Sequence, residues 1–282
     1  MAEKVRLGGM ALVNGVLVHG PVYWACAVRT DDGELKVGSG RKPLRAREAE
    51  NRLLQAPLRI AEIFALFPAV RRELPEAKLP YERPGVAAAM AATAFTIRGL
   101  RASSLSPLAQ EALAALAALA PAAMSLHNSQ IAEYHGAEHI SIGTYEHGEP
   151  REKEHERCGS HLIGPLMLTS AAGSLLARLA PPQVRAFARA GAAVGALAAS
   201  VEMFSWMLRN EDHPVAKALA KPGHELQHRL VTAEPSPEQL AVANAALSEC
   251  LRLETSDRAG PVARLESGRD GDGNQEEAPP PT

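Results

Sequence analysis

Cysteine is scarce in this chain, with only Cys26, Cys158 and Cys250 in 282 residues. Three widely separated cysteines make no disulfide framework, which fits a reducing compartment. An excess of one charge is missing too, because 30 lysines and arginines face 32 aspartates and glutamates, for a net charge of −2. No long basic run occurs, so nothing indicates nucleic-acid binding. The first twenty residues lack a basic start followed by an apolar run and a cleavage site, and no secretory signal is expected. The early glycines spell neither GxGxxG nor a P-loop, and no GxSxG elbow or serine-base arrangement occurs, which argues against a nucleophilic hydrolase.

What the chain does have is concentrated in Tyr134 to Gly159, where 26 residues hold four of the ten histidines, one cysteine and six glutamates. His135-Gly136-Ala137-Glu138-His139 reads HxxEH, and His155-Glu156-Arg157-Cys158 reads HxxC. On a helix, residues four apart share a face, so His135 and His139 can direct both imidazoles at one ion. Glu138 borders that face, within reach of a proton on water at the ion. The same order of ligands and base occurs in the inverzincin metalloproteases. Alone, HxxEH is a weak signal, since solvated helix faces produce such strings by chance. The second pair strengthens it, because three imidazoles and one thiolate fill the tetrahedral set that zinc favours.

Composition divides the chain into a strand-rich N-terminal part (1–44), a helical core (45–254) carrying the metal motif at 134–161, and a polar tail (255–282) expected to be disordered. Between Arg6 and Gly40, short apolar runs alternate with glycines, and Asp32-Gly33 is a hairpin signal. Gly8, Gly9, Gly15 and Gly20 read as turns and bulges, or as points where backbone approaches a ligand. An amphipathic helix is expected from about Glu48 to Leu74, with breaks or kinks suggested at Pro57 and Pro68 and a stop at Pro75. Four alanine-rich stretches of helical length follow: Val86 to Ile97, Leu108 to Leu126, Leu162 to Leu179 and Phe187 to Leu208. They sit at the margin of what a bilayer requires, and a buried helical bundle explains them almost as well. Ser236-Pro237 marks the start of one more helix. The expected fold is mainly α with a small N-terminal β-rich subdomain, an α+β arrangement whose alanine-rich core is a candidate for membrane insertion.

Four segments in order, GGMALVNGVLVHGP, YHGAEHISIGTYEHGE, His155 to Ser160, and HELQHRLVTAEPSPEQLAVANAAL, resemble the bacterial family labelled domain of unknown function 1385, over most of residues 6 to 252. The resemblance implies a metal-dependent protein with several membrane-spanning helices, at the cytoplasmic membrane, whose reaction is not settled. A soluble cytoplasmic protein is the alternative. The central motif corresponds at Tyr134, His135, Gly136, Ala137, Glu138, His139, Tyr145 and Glu146, and the following one at His155, Arg157, Cys158 and Gly159. It also points to Glu202, in the apolar run SVEMFSWML, as a distant carboxylate ligand; a plain helix-surface carboxylate is the equal alternative. Met10, Asn14, His19 and Ile140 depart from the family's usual residues, which bears on specificity or activity and leaves the ligand types intact.

Among the weaker candidates, His161 reads as polar surface, His147 and Glu149 as a solvated loop, and Cys26 as a small buried hydrophobe. His127, His224 and His228 could join a polar cluster, with no spacing that specifies chemistry.

Two functions follow. In one, the protein is a zinc-dependent enzyme, a hydrolase acting on an unidentified small molecule or peptide: His135, His139 and one of His155, Cys158 and Glu202 hold the ion, and Glu138 is the base. In the other, His135, His139, His155 and Cys158 saturate a structural zinc that staples the loop Ile140 to Glu154 in a non-catalytic, membrane-associated scaffold. A metal-free polar core is a third reading.

Overall fold

The computed structural model describes residues 4–48, 52–126 and 129–258. Four strands, β1 (Gly8–Ala11), β2 (Gly15–His19), β3 (Tyr23–Arg29) and β4 (Leu35–Arg41), form an antiparallel meander in chain order. The turn at Asp32-Gly33 joins β3 to β4, with Gly33 at φ 85°. Eight α-helices follow among the described residues: α1 (Arg52–Glu73), α2 (Pro84–Ala102), α3 (Pro107–Leu126), α4 (Gln130–His147), α5 (Ile163–Arg178), α6 (Arg185–Arg209), α7 (Pro214–Leu226) and α8 (Pro237–Arg258). The protein is thus mainly helical with a small N-terminal sheet, as the sequence predicts.

Helix α1 runs on through Pro57 and Pro68, where the sequence suggested breaks or kinks, and stops ahead of Pro75 as expected. Helix α8 begins at Pro237, with the Ser236 hydroxyl accepting from Gln239 N–H at 3.3 Å and the Gln239 side chain accepting from Ser236 N–H at 2.8 Å. That reciprocal cap satisfies two otherwise unpaired donors. The helix extends to Arg258, so the first four residues of the expected tail are helical, and 259–282 lie outside the described residues.

Both faces of the sheet are covered, which explains why β2 and β3 read as nearly continuous apolar runs. Val16, Val18, Ala25 and Ala27 pack against Ile131, Tyr134 and Ala137 of α4 and Val242, Ala243 and Ala246 of α8. The opposite face, Leu17, Trp24, Cys26 and Val28, packs on Leu66 and Val70 of α1. Cys26 is fully buried, a small hydrophobe as expected. Each such buried aliphatic side chain stabilises the fold by roughly 1.5–3 kcal/mol. Glu254 near the end of α8 accepts from Val22 and Tyr23 N–H at 2.7 and 2.8 Å, clamping the turn between β2 and β3.

The alanine-rich helices lie beside this core rather than inside it. Three segments, Ala109–Leu126, Gly159–Arg178 and Arg185–Arg209, are long and apolar enough to cross a membrane, and only 17–19% of each is buried. Leu176, Leu179 and Phe187 stand largely exposed. A bilayer or a partner chain would cover these side chains, so their exposure is compatible with membrane association.

His19, at the end of β2, lies against Gly8, and burial followed by the charge of Lys42 depresses its imidazole to about 4. Above pH 6.5 the ring is neutral whether the chain is folded or not. Below that the unfolded chain takes up a proton that the fold refuses, so stability is lost progressively down to about pH 4. His19→Asn is therefore expected to flatten the acid limb of a denaturation series between pH 6.5 and 4 by roughly 2 kcal/mol, a figure discounted for partial solvent screening. An unchanged acid limb would show that His19 is not the group responsible.

Candidate metal centre

Helix α4 carries HxxEH as one turn of regular helix, and Gly148, in the left-handed region at φ 80°, ends it by donating to Thr144 O at 2.8 Å. The rings of His135 and His139 lie one above the other, with centroids 4.4 Å apart. Each is tied through Nδ1 to a backbone carbonyl, His135 to Val231 O at 2.8 Å and His139 to Lys153 O at 2.6 Å. A carbonyl only accepts, so in each ring Nδ1 carries the hydrogen and Nε2 keeps its lone pair. Such outer hydrogen bonds fix the tautomer and aim of ligating histidines.

Ligand atoms of His135, His139 and Cys158 all lie within 4.8 Å of one another. Cys158 Sγ is 3.6 Å from His135 Nε2. Burial would raise the Cys158 thiol, but its close surroundings at His139 and Ser160 outweigh it and hold the thiol below its ordinary value. Burial, the largest influence on His139, lowers its pKa and keeps the imidazole neutral. Two bare imidazole nitrogens and a thiol biased towards thiolate are a donor set suited to zinc.

Glu138 completes the cluster, its Oε2 standing 3.6 Å from His139 Nε2 and 3.9 Å from His135 Nε2. The carboxylate is buried, and burial raises its pKa against the opposing charges of His135 and His155. Beneath it lies Gly9 of β1, so close that a Cβ there would collide with the Glu138 side chain. The sequence had offered bulges or a close backbone approach for the early glycines, and at Gly9 the approach is to this carboxylate.

The remaining sequence candidates are placed differently. His155 stacks near His139, centroids 5.5 Å apart, but its Nδ1 accepts from Arg157 N–H at 3.2 Å and its Nε2 bonds Glu146 at 3.2 Å. Burial opposes protonation of His155, yet its hydrogen bond to Glu146 and the charges of Glu156, Glu146 and Glu138 raise its pKa overall. Glu146 also pairs with Arg157, which secures the return loop. Glu202 is exposed on α6 and stands outside the cluster. His161, read as polar surface, is instead buried beside Gln227. His147 and Glu149 are exposed, as are His224 and His228, while His127 lies outside the described residues.

Sequence reasoning placed Gln227 in the family-like late motif without a role, and it is fully buried. Its carbonyl oxygen accepts from His155 N–H at 2.8 Å and its amide reaches Ser160 Oγ at 2.8 Å. It opens a π-helical turn, Gln227–Val231, that delivers the Val231 carbonyl to His135. The segment HELQH had been visible, but nothing in its spacing ties an amide to a backbone 72 residues away.

These groups form the polar end of a cleft of about 790 Å³. Its other walls are β1 and apolar side chains of α1, α2 and α3, among them Phe64, Phe67, Val86, Met90 and Ala122. A polar cluster at the end of an apolar cleft is the usual build of a small-molecule or substrate site.

Residues 122–253 match the family described as "Protein of unknown function (DUF1385)". That span holds His135, Glu138, His139, Cys158 and Gln227, whereas the glycine-rich opening and α1 lie outside it. One curated relative, described as "Uncharacterized protein YqhQ" of Bacillus subtilis (strain 168), is 34% identical over 133 residues, 44% of this chain and 42% of that protein. The chain therefore spans less than half the length of this relative. No solved structure matches significantly.

Helix α4 reaches Val231 and its neighbours through Gly136, where a Cβ would collide with the Ala233 carbonyl. Gly136→Ala is expected to destabilise the protein by about 2–3 kcal/mol in chemical denaturation, because backbone rather than a flexible side chain must move. At Gly143 the nearest atoms are Arg151 side-chain carbons at 3.2 and 3.3 Å, and Gly143→Ala should cost under about 1 kcal/mol. Equal costs at the two positions would remove the argument that Gly136 sets the approach.

Proposed function

With residues 122–253 matching the DUF1385 family, we propose that this protein is a zinc-dependent hydrolase with His135, His139 and Cys158 as ligands and Glu138 as general base. The observation that carries the reading is the set of three converging ligand atoms with a buried carboxylate beside them. A bound zinc would supply Lewis acidity and lower the pKa of water at the site. Glu138 then takes a proton from the attacking water and returns it to the leaving group. Its raised pKa suits it to both transfers near neutral pH. The hydrogen bonds to Val231 O and Lys153 O hold the histidines in place while this happens, and the apolar cleft excludes bulk water.

Three ligands with the fourth position open is the catalytic arrangement, while a fully ligated ion is structural. The engagement of both His155 nitrogens by Arg157 and Glu146 favours the open form over the four-ligand staple. Glu202, exposed on α6, has no part in this ligand set.

The exposed apolar faces of α3, α5 and α6 support a location at the cytoplasmic membrane. In this reading the protein remains in the membrane fraction after a carbonate wash; full release into the supernatant would overturn it.

Purified protein is expected to hold about one zinc per chain, with X-ray absorption finding two nitrogen neighbours and one sulfur. Glu138→Gln should keep the zinc and lose roughly 10²- to 10⁴-fold in hydrolysis of a fluorogenic peptide or ester set. His139→Ala should lose the zinc. Metal-free protein, or a Glu138→Gln variant as active as the parent, defeats the assignment.

A further inference from the structure

The edge of the sheet enters the cleft. Among the described residues strand β1 pairs only with β2, and Gly8, Gly9, Met10 and Ala11 all line the cavity beside His135, Glu138 and His139. Which backbone groups face outward follows from the register. Leu12 N–H donates to Gly15 O at 2.8 Å, and Gly8 pairs with His19, Gly9 with Val18 and Met10 with Leu17. Hydrogen-bonded and non-bonded pairs alternate along an antiparallel ladder. Leu12, Met10 and Gly8 therefore bond to β2, and Gly9 and Ala11 turn their N–H and C=O to the free edge. The next ladder agrees: Gly20 N–H to Tyr23 O and Arg29 N–H to Asn14 O set the even-numbered residues of β2 towards β3 and the odd-numbered ones towards β1.

Ala11 is buried, but Gly9 is exposed, and neither its N–H nor its C=O has a hydrogen-bond partner among the described residues. An exposed strand edge is a template for another chain. This template lies directly under the Glu138 carboxylate.

Resting on the hydrolase reading above, we propose that the substrate is an extended polypeptide that adds to the free edge of β1, exchanging two backbone hydrogen bonds with Gly9. The residue opposite Gly9 shares its face of the sheet, which is the face of Glu138. Its two neighbours along the strand face the other way, towards α1. There Phe64, Phe67 and Tyr81 form an aromatic wall, with Phe64–Phe67 centroids 5.7 Å apart and Phe67–Tyr81 centroids 5.5 Å apart. This wall takes three of the few aromatic residues in the chain, and Phe64 is 63% exposed. The preferred peptide thus carries apolar side chains on both sides of the residue paired with Gly9. A lipid acyl chain would fill the apolar walls equally well, but it would leave the Gly9 N–H and C=O without partners.

The test uses the full-length, zinc-loaded protein in detergent micelles, with an acetylated and amidated heptapeptide of alternating serine and leucine as the probe. Peptide binding is expected to slow hydrogen exchange in residues 7–11. N-methylation at alternate peptide residues should weaken binding about tenfold, with little effect at the residues between, since one lost hydrogen bond is worth about a factor of ten. Phe64→Asp, at an exposed position away from the ligands, should weaken the parent peptide about tenfold as well. Binding of lauric acid in place of the peptide, or peptide binding with neither slowed exchange nor an alternating N-methyl pattern, overturns the proposal. A peptide bound with all of these signatures but never cut supports strand addition and defeats the hydrolase reading, so the two failures are distinguishable.

Discussion

Two hydrogen bonds, from His135 Nδ1 to the Val231 carbonyl and from His139 Nδ1 to the Lys153 carbonyl, tie together the parts of the candidate metal centre. Each bond couples a side chain of α4 to backbone far along the chain. One reaches the loop that returns to Cys158, and the other reaches the π-helical turn before α8. Both acceptors are carbonyls, so the bonds set protonation as well as position. The rest of the local structure serves these contacts: Gly136 allows α4 to approach, Gln227 holds the return loop, and Glu146 with Arg157 closes its far side. Buried polar groups in such a network are costly when unpaired, so the network specifies one arrangement strongly.

Much of the fold was legible in the sequence because its signals are local. Alternating apolar runs, Asp32-Gly33 and Ser236-Pro237 mark strands, a turn and a cap through the backbone preferences of single residues. At Pro57 and Pro68 the sequence left a break or a kink open, and α1 continues through both, its second half held by packing against the sheet. For the candidate site, His135, Glu138 and His139 could be placed on one helical face from spacing alone. Cys158 was legible as a ligand type, and the structure brings it to the histidines. His155 could not be separated from Cys158 by sequence, since both lie in one short motif. What distinguishes them is which neighbour reaches each atom first, and Glu146 and Arg157 N–H reach the imidazole. Gln227 and His161 were out of reach for the same reason, being buried by elements from distant parts of the chain.

The helices that were hardest to classify remain the least enclosed. Alanine contributes little hydrophobicity, so composition left α3, α5 and α6 between a membrane and a bundle core. Their low burial beside a well-covered sheet shows how unevenly the chain spends its apolar surface. Cys158 stands one residue before the segment Gly159–Arg178, so the polar cluster sits where the enclosed and the uncovered parts of the protein meet.

The contact of Glu138 with Gly9 joins the stretch that matches the family to a stretch that does not. At this point the approach of β1 to α4 rests on a residue with no side chain. Any side chain placed at Gly9 would press on the Glu138 carboxylate before it met other atoms, so this one position couples the free edge of the sheet to the polar cluster.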